Sequence, residues 1–269
     1  MSEGRAVVKT QVPGHADRLD AAVLEAWKRS FMADFPADVT SMLLADVRME
    51  RLRPGDVFYR GVQHGATLTL ALVVDGLVRI LLMQPTGRQV TIRYAPPGSV
   101  VGLPSNLLFP ASERSAKPPA QWLEMGGADR DAQAVRATTL LHLRPDRFES
   151  VIRQNPKASW VLSRHLASQL MEAQQQLAAE LFLPVRARVA GHLLSLAEPS
   201  GRDLVVRVRH EAIAAAMGSV REVVSRELKR MEHEGLVQRI GGLTGYLRIV
   251  DAAALREISR GADGSYTGR

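Results

Sequence analysis

The stretch "GSVREVVSRELKRMEHEGLVQR" (218–239) sets Arg221, Glu222 and Arg226 close together, directly after a glycine and a short Ser-Val step. An arginine offers paired donors that match guanine O6 and N7 in the major groove of DNA, and a glutamate accepts from cytosine N4. At positions i, i+1 and i+5 of one helix, the three side chains address neighbouring base pairs. Ser219, Ser225 and Lys229 cluster on the same side near the helix start, where a groove-entering helix makes its base contacts. The competing reading is a surface ion pair, Glu222 to Arg226 at i, i+4.

Such a helix reads bases only if its neighbours hold it outward. "HEAIAAAMG" (210–218) has the pattern of a short helix ending at Gly218, a residue type that tolerates the positive φ of a tight turn. The second helix runs to Gly235. "LVQRIGGLTGYLRIV" (236–250) then reads as a hairpin with a glycine-rich tip. Helix, glycine, helix and hairpin describe a winged helix-turn-helix, with Ile213, Met217, Val223, Leu228 and Met231 as its small core and Leu236 closing it. This context favours base reading over the ion pair.

Upstream, "PVRARVAGHLLSLAE" (184–198) is an amphipathic helix with proline at its first turn, followed by a loop and a short strand at 204–209. After Pro156, Leu162, Leu166, Leu170, Ala173, Leu177 and Leu181 recur every three or four residues, with Gln169, Glu172, Gln175, Gln176 and Glu180 opposite. That narrow stripe is the pattern of a self-pairing seam, the alternative being a helix packed on its own domain.

Residues 48–102 alternate short apolar runs with glycine turns. Strands near 56–60, 67–73, 77–83 and 89–94, a hairpin turn at 85–89 and a further strand at 134–143 suggest a barrel or sandwich. Residues 21–47 predict short helices. Residues 103–133, rich in Pro, Ala, Ser and Gly, read as a long loop with at most one helical turn, and 1–20 and 252–269 as loose tails.

Composition narrows the function. A net charge of +7 over 269 residues favours a polyanionic partner. With no cysteine, disulfides, thiolate metal sites and cysteine-ligated iron–sulfur clusters are excluded. The N-terminus lacks a secretory pattern, and no apolar run is long enough to span a membrane, so the chain reads as cytoplasmic with no membrane partner. A metal-dependent enzyme on the strand-rich part would need closely spaced histidines, and His64 stands alone there, so no enzyme is expected.

"RHEAIAAAMGSVREVVSRELKRMEHEGLV" resembles the DNA-binding domain of the cyclic-AMP receptor and fumarate–nitrate regulator (Crp/Fnr) superfamily, and Arg221-Glu222-x-x-x-Arg226 matches the recognition-helix motif of its Crp branch. "GDVFYRG", "LVVDGLVRILL", "GRQVTIRYAPPGSVVG" and "VRATTLLHL" resemble the family's cyclic-nucleotide-type β-roll. The resemblance, over about residues 22–250, implies an α+β chain. Its parts are a β-roll sensor of the jelly-roll kind (21–150), a long dimerisation helix and hinge (151–183) and a winged helix-turn-helix (184–251). It implies a homodimer that binds double-stranded DNA as an inverted repeat of GTGA-like half-sites, with RNA polymerase as a partner. An alternative is a regulator with a degenerate pocket that acts mainly through protein contacts.

The same resemblance places an effector pocket near Gly102, Leu103, Arg114, Ser115, Arg136 and Gln174. Cyclic-AMP binders carry a glutamate after the glycine aligned with Gly102, where this chain has Leu103. Asp131 and Ala132 stand where an Arg-Ser pair is expected, and an aspartate repels phosphate. "ERSA" (113–116) looks like a displaced version of that pair. The adenine-facing Thr-Ser pair of the long helix reads Ala173 and Gln174. These departures speak against cyclic AMP. No histidine falls at the Gly102–Ser105 turn or in the following loop, which speaks against haem; His165, on the long helix, reads as a surface or core residue rather than a ligand. No cofactor or metal is expected.

Overall fold

The computed structural model describes residues 21–59, 69–83, 89–108, 129–207, 213, 221–240 and 246–261. The first helices, α1 (Ala21–Arg29) and α2 (Ala37–Leu44), flank a 3-10 turn at Phe31–Asp34. Among the described residues the next elements are strands β1 (Arg48–Leu52), β2 (Val57–Tyr59), β3 (Leu70–Asp75), β4 (Val78–Met83), β5 (Gln89–Ala95), β6 (Val100–Val101), β7 (Asp129–Ala134) and β8 (Thr138–Leu143). They form two antiparallel sheets, ordered β1-β8-β3-β6 and β2-β7-β4-β5.

β3 is buried along nearly its whole length because both of its faces are covered. Leu70, Leu72 and Val74 pack with Val23, Trp27, Met32, Leu141 and Phe148 on the helical side, while Ala71 and Val73 meet Val78, Ala95, Ala132, Ala134 and Leu140 between the sheets. One strand thus divides two cores, as a side-chain period of two requires.

In residues 103–133 the structure has the helical turn the sequence allowed, and at the far end a strand it did not. Helix α3 (Leu103–Leu108) opens the segment, and β7 closes it as an interior strand paired with both β2 and β4. The sequence "DRDAQA" hid this strand because Ala132 and Ala134, not large apolar residues, supply its inward face. The expected strand at 134–143 is accordingly split: residues 135–137 turn the chain from β7 into β8. Residues 109–128, with Arg114 and Ser115, lie outside the described part, as do the 85–88 turn and His64.

α4 (Pro145–Gln154) leads into α5 (Pro156–Phe182), the long helix, capped by the Asn155 side chain accepting from the Ala158 amide at 3.0 Å. The two halves of α5 differ. Ala158, Val161 and Leu162 are buried in the helical-side core and Leu166 packs against it, whereas Leu170, Leu177 and Leu181 are 60%, 60% and 69% exposed and Ala173 is exposed. The stripe expected to be one seam therefore begins as core: Leu162 belongs to the β-roll and is not available to a partner.

Pro184 separates α5 from α6 (Val185–Leu196). After it come β9 (Glu198–Ser200), β10 (Asp203–Arg207), α7 (Arg221–His233), β11 (Val237–Arg239), β12 (Tyr246–Ile249) and α8 (Ala252–Ser259). The third sheet has the order β11-β12-β10-β9. The segment expected to fray from 252 onward instead forms α8: Asp251 caps it, accepting from the Ala254 amide at 2.9 Å, and Leu255 and Ile258 enter the domain core.

Candidate nucleic-acid interface

α7 is amphipathic in the required sense. Val224, Leu228 and Met231, at i, i+4 and i+7, are buried with Ile213, Leu236 and Val237 against α6. The expected core residue Val223 is only half-buried: the apolar face is rotated by one residue and Val224 occupies the position. That rotation leaves Glu222, Arg226 and Lys229 exposed together and Ser225 half-buried beside them. Arg221 is the first residue of α7; its side chain, like Met217, Gly218 and Ser219, lies outside the described part.

Charges at the two ends of α7 are treated differently. At the C-terminal end Arg230 pairs with Glu234 at 3.0 Å, Arg186 of α6 also grips Glu234, and Glu232 meets Arg239 of β11 at 3.1 Å. Arg186 beside Glu234 holds its carboxyl below the usual carboxylate range. At the N-terminal end no described residue forms an ion pair with Glu222, Arg226 or Lys229, and Glu222 and Arg226 do not bond each other. The surface ion pair that competed with base reading is not made. The sheet beside α7 carries further cations: Arg248 of β12 donates to Gln238 and lies 3.7 Å from Asp203, and the guanidinium of Arg207, on β10, sits 5.8 Å from the Tyr246 ring centroid.

A family profile described as a Crp-like helix-turn-helix domain matches residues 187–258. A cyclic AMP receptor protein of Thermus thermophilus is 34% identical over 205 residues, 76% of this chain and 84% of that protein. The chain belongs to the Crp/Fnr family of transcriptional regulators. The transcriptional regulator LdrP of the same organism is 31% identical over 76% of this chain and 92% of its own length. A solved CRP-family regulator, also from Thermus thermophilus, superposes with a TM-score of 0.58 at 27% identity, covering 78% of this chain and 96% of that one. As a Crp/Fnr-type regulator the chain is a DNA-binding protein, its relatives are transcription factors rather than enzymes, and its β-roll, long helix and winged domain follow the family order. No described helix is long and apolar enough to cross a membrane.

Of the expected effector residues, Arg114 and Ser115 lie outside the described part, and the described ones, Gly102, Leu103, Arg136 and Gln174, are not gathered into one pocket. Gly102 has φ +86°, and a Cβ there would lie 1.7 Å from the Thr69 carbonyl oxygen, so the backbone admits no side chain. Leu103 is fully buried in the helical-side core. Asn106 fixes this turn by donating to the carbonyls of Thr69 at 3.1 Å and Gly102 at 2.8 Å. Arg136 does not face the roll interior; it pairs with Glu198 of the winged domain at 2.6 Å. Gln174 is exposed on α5. A separate cleft of about 200 Å³ lies between the 3-10 turn and α5, lined by Phe31, Asp34, Val161, Arg164, His165 and Ser168. His165 stacks on Phe31 with centroids 4.1 Å apart and rings 9° from parallel. Burial, then the Arg93 charge, pushes its pKa down. Among the described residues no group of three or more His, Cys, Asp or Glu side chains could hold a metal ion.

Proposed function

We propose that this regulator works as a homodimer and reads an inverted repeat with GTGA-like half-sites, without control by cyclic AMP. The observation that carries the reading is the set of exposed Glu222, Arg226 and Lys229, without an ion pair among the described residues, on the face of α7 opposite Val224, Leu228 and Met231. Arg221 and Arg226 address guanines, Glu222 addresses cytosine, and Ser219, Ser225 and Lys229 complete the contact surface, with Lys229 on a phosphate. Leu170, Ala173, Leu177 and Leu181 supply the dimer contact, which places two copies of α7 about one DNA turn apart. RNA polymerase is the protein partner this reading implies. One relative is named as a cyclic AMP receptor protein. Here the buried Leu103 stands where a carboxylate would hold a ribose, and Asp131 where an arginine would hold a phosphate, which supports regulation by another ligand or none.

Gel-shift titration against inverted-repeat and random duplexes, over a range of salt and with or without cyclic AMP, tests this. The wild type binds the repeat selectively with or without the nucleotide. Arg226→Ala relaxes discrimination at one position by about 1–3 kcal/mol, whereas Lys229→Ala weakens all duplexes alike and lowers the salt slope by roughly one. Equal binding of repeat and random DNA, or selectivity that appears only with cyclic AMP, would overturn the reading.

A further inference from the structure

A cleft of about 180 Å³ opens between the first turn of α6, the middle of α7 and the end of α8. Pro184, Val185, Ala187 and Ile258 form its apolar walls. Gly261 lines one corner at φ +75°, where a Cβ would lie 2.8 Å from Leu183 Cδ2, so this corner carries no side chain. The polar residues come from one row of α7. Glu227 and Arg230, at i and i+3, share a face that is separate from the exposed Glu222, Arg226 and Lys229, and Glu234 continues the row just past the helix end.

Glu227 is the unusual member. Its side chain is half-buried, yet its Oε2 is fully buried and has no hydrogen-bond partner. A buried carboxylate oxygen is rarely left in that condition, and a donor from a ligand answers it. The two guanidiniums that line the same cleft turn to Glu234 instead: Arg186 grips it, and Arg230 Nε lies 3.0 Å away. The Arg230 side chain stays 58% exposed, and among the described residues its terminal amino groups take no other acceptor.

The facing wall supplies donors of another kind. A helix leaves its first N–H groups without intrahelical partners, and the cap residue of α6, Pro184, makes no side-chain bond to them. The cleft therefore holds an acceptor short of a donor on one side, and donors suited to an anion on the other, with apolar surface between. Two guanidiniums stand against Glu227 and Glu234, so the charges around the cleft cancel, and a dipolar ligand without net charge suits it better than a simple ion. The volume is below the roughly 300 Å³ at which sites for drug- and cofactor-sized ligands begin, which is too small for a nucleotide.

We propose that this cleft binds a free aliphatic α-amino acid. The ammonium donates to Glu227, the carboxylate accepts from Arg230 and from the amides that open α6, and the side chain lies against Val185, Ala187 and Ile258. The site is independent of the DNA-binding reading, since none of its residues belongs to the base-contacting set.

Titration calorimetry of the full chain with valine, leucine and isoleucine tests this, alongside the amine and the carboxylic acid of each carbon skeleton. The tightest of the three amino acids binds once per chain and at least about tenfold more tightly than its own amine or acid. Glu227→Gln weakens that binding by at least about tenfold, and Arg230→Gln by about fivefold. The amino acid raises the melting temperature of the wild type and not that of Glu227→Gln, which without ligand melts no lower than the wild type. No binding by any of the three at millimolar concentration, equal binding by the amine or the acid, or unchanged affinity in Glu227→Gln overturns the site. A Glu227→Gln chain that melts below the wild type without ligand overturns it as well, because the carboxylate then serves the fold.

Discussion

Individual side chains divide into those that announce themselves and those that do not. Glu222, Arg226 and Lys229 are legible from spacing, because polar residues opposite an apolar i, i+4, i+7 set must face outward. The choice between Val223 and Val224 is not, since adjacent valines differ only by the rotation of the helix. Tyr94 and His192 lie 98 positions apart, and no local pattern connects them. Their contact has a titration consequence. Burial, then the Arg79 charge, pushes the His192 pKa down to about 4, and burial raises that of Tyr94 to about 12. The charged and titratable groups facing the imidazole are Arg79 of β4 and Tyr94 of β5. The folded state therefore binds fewer protons at His192 than the unfolded chain, so this contribution is complete above pH 6.5 and lost as pH falls from there towards 4. Urea unfolding at pH 7 and at pH 4.5 should show a loss on the order of 3 kcal/mol from this group, and His192→Gln should remove that part of the pH dependence.

Secondary-structure elements show the limits of periodicity. Spacing presents the stripe on α5 as uniform, yet its first turns face β-roll core and its later turns face solvent, because periodicity reports an apolar face without naming what covers it. The two halves should respond differently. Leu162→Ala should destabilise folding by about 2–5 kcal/mol in denaturant titration. Leu177→Asp should leave folding nearly intact and convert the protein to monomers in sedimentation. A folded dimer after Leu177→Asp would mean that the exposed stripe is not the dimer contact. α8 escapes detection for the opposite reason: a short helix followed by polar residues resembles a tail, and its Asp251 cap and its two buried residues acquire meaning only against α6. Leu255→Ala should lower winged-domain stability by about 2–4 kcal/mol, with the loss appearing in calorimetry.

At the scale of the molecule, the chain is a sensor-like roll and a DNA-reading unit joined through Pro184, through the Arg188–Glu180 ion pair and around Leu77, which is buried with the winged-domain core. The order of these parts is visible in the sequence through glycine-punctuated strands, a long apolar-striped helix and the Arg-Glu-x-x-x-Arg turn. Their mutual packing is not, because it depends on single outward residues of a sheet whose inward residues dominate the pattern. The net charge of +7 suits an anionic partner, and Arg226 and Lys229 of α7 leave part of that charge exposed to solvent. After its first residue, Pro156, the 27-residue rod of α5 contains neither glycine nor proline, the residues at which helices ordinarily bend. It therefore resembles a driveshaft: with Ala158 and Leu162 seated in the core at one end and Leu181 in solvent at the other, no sharp kink is expected along the shaft, and Pro184 marks the first break in the helical backbone.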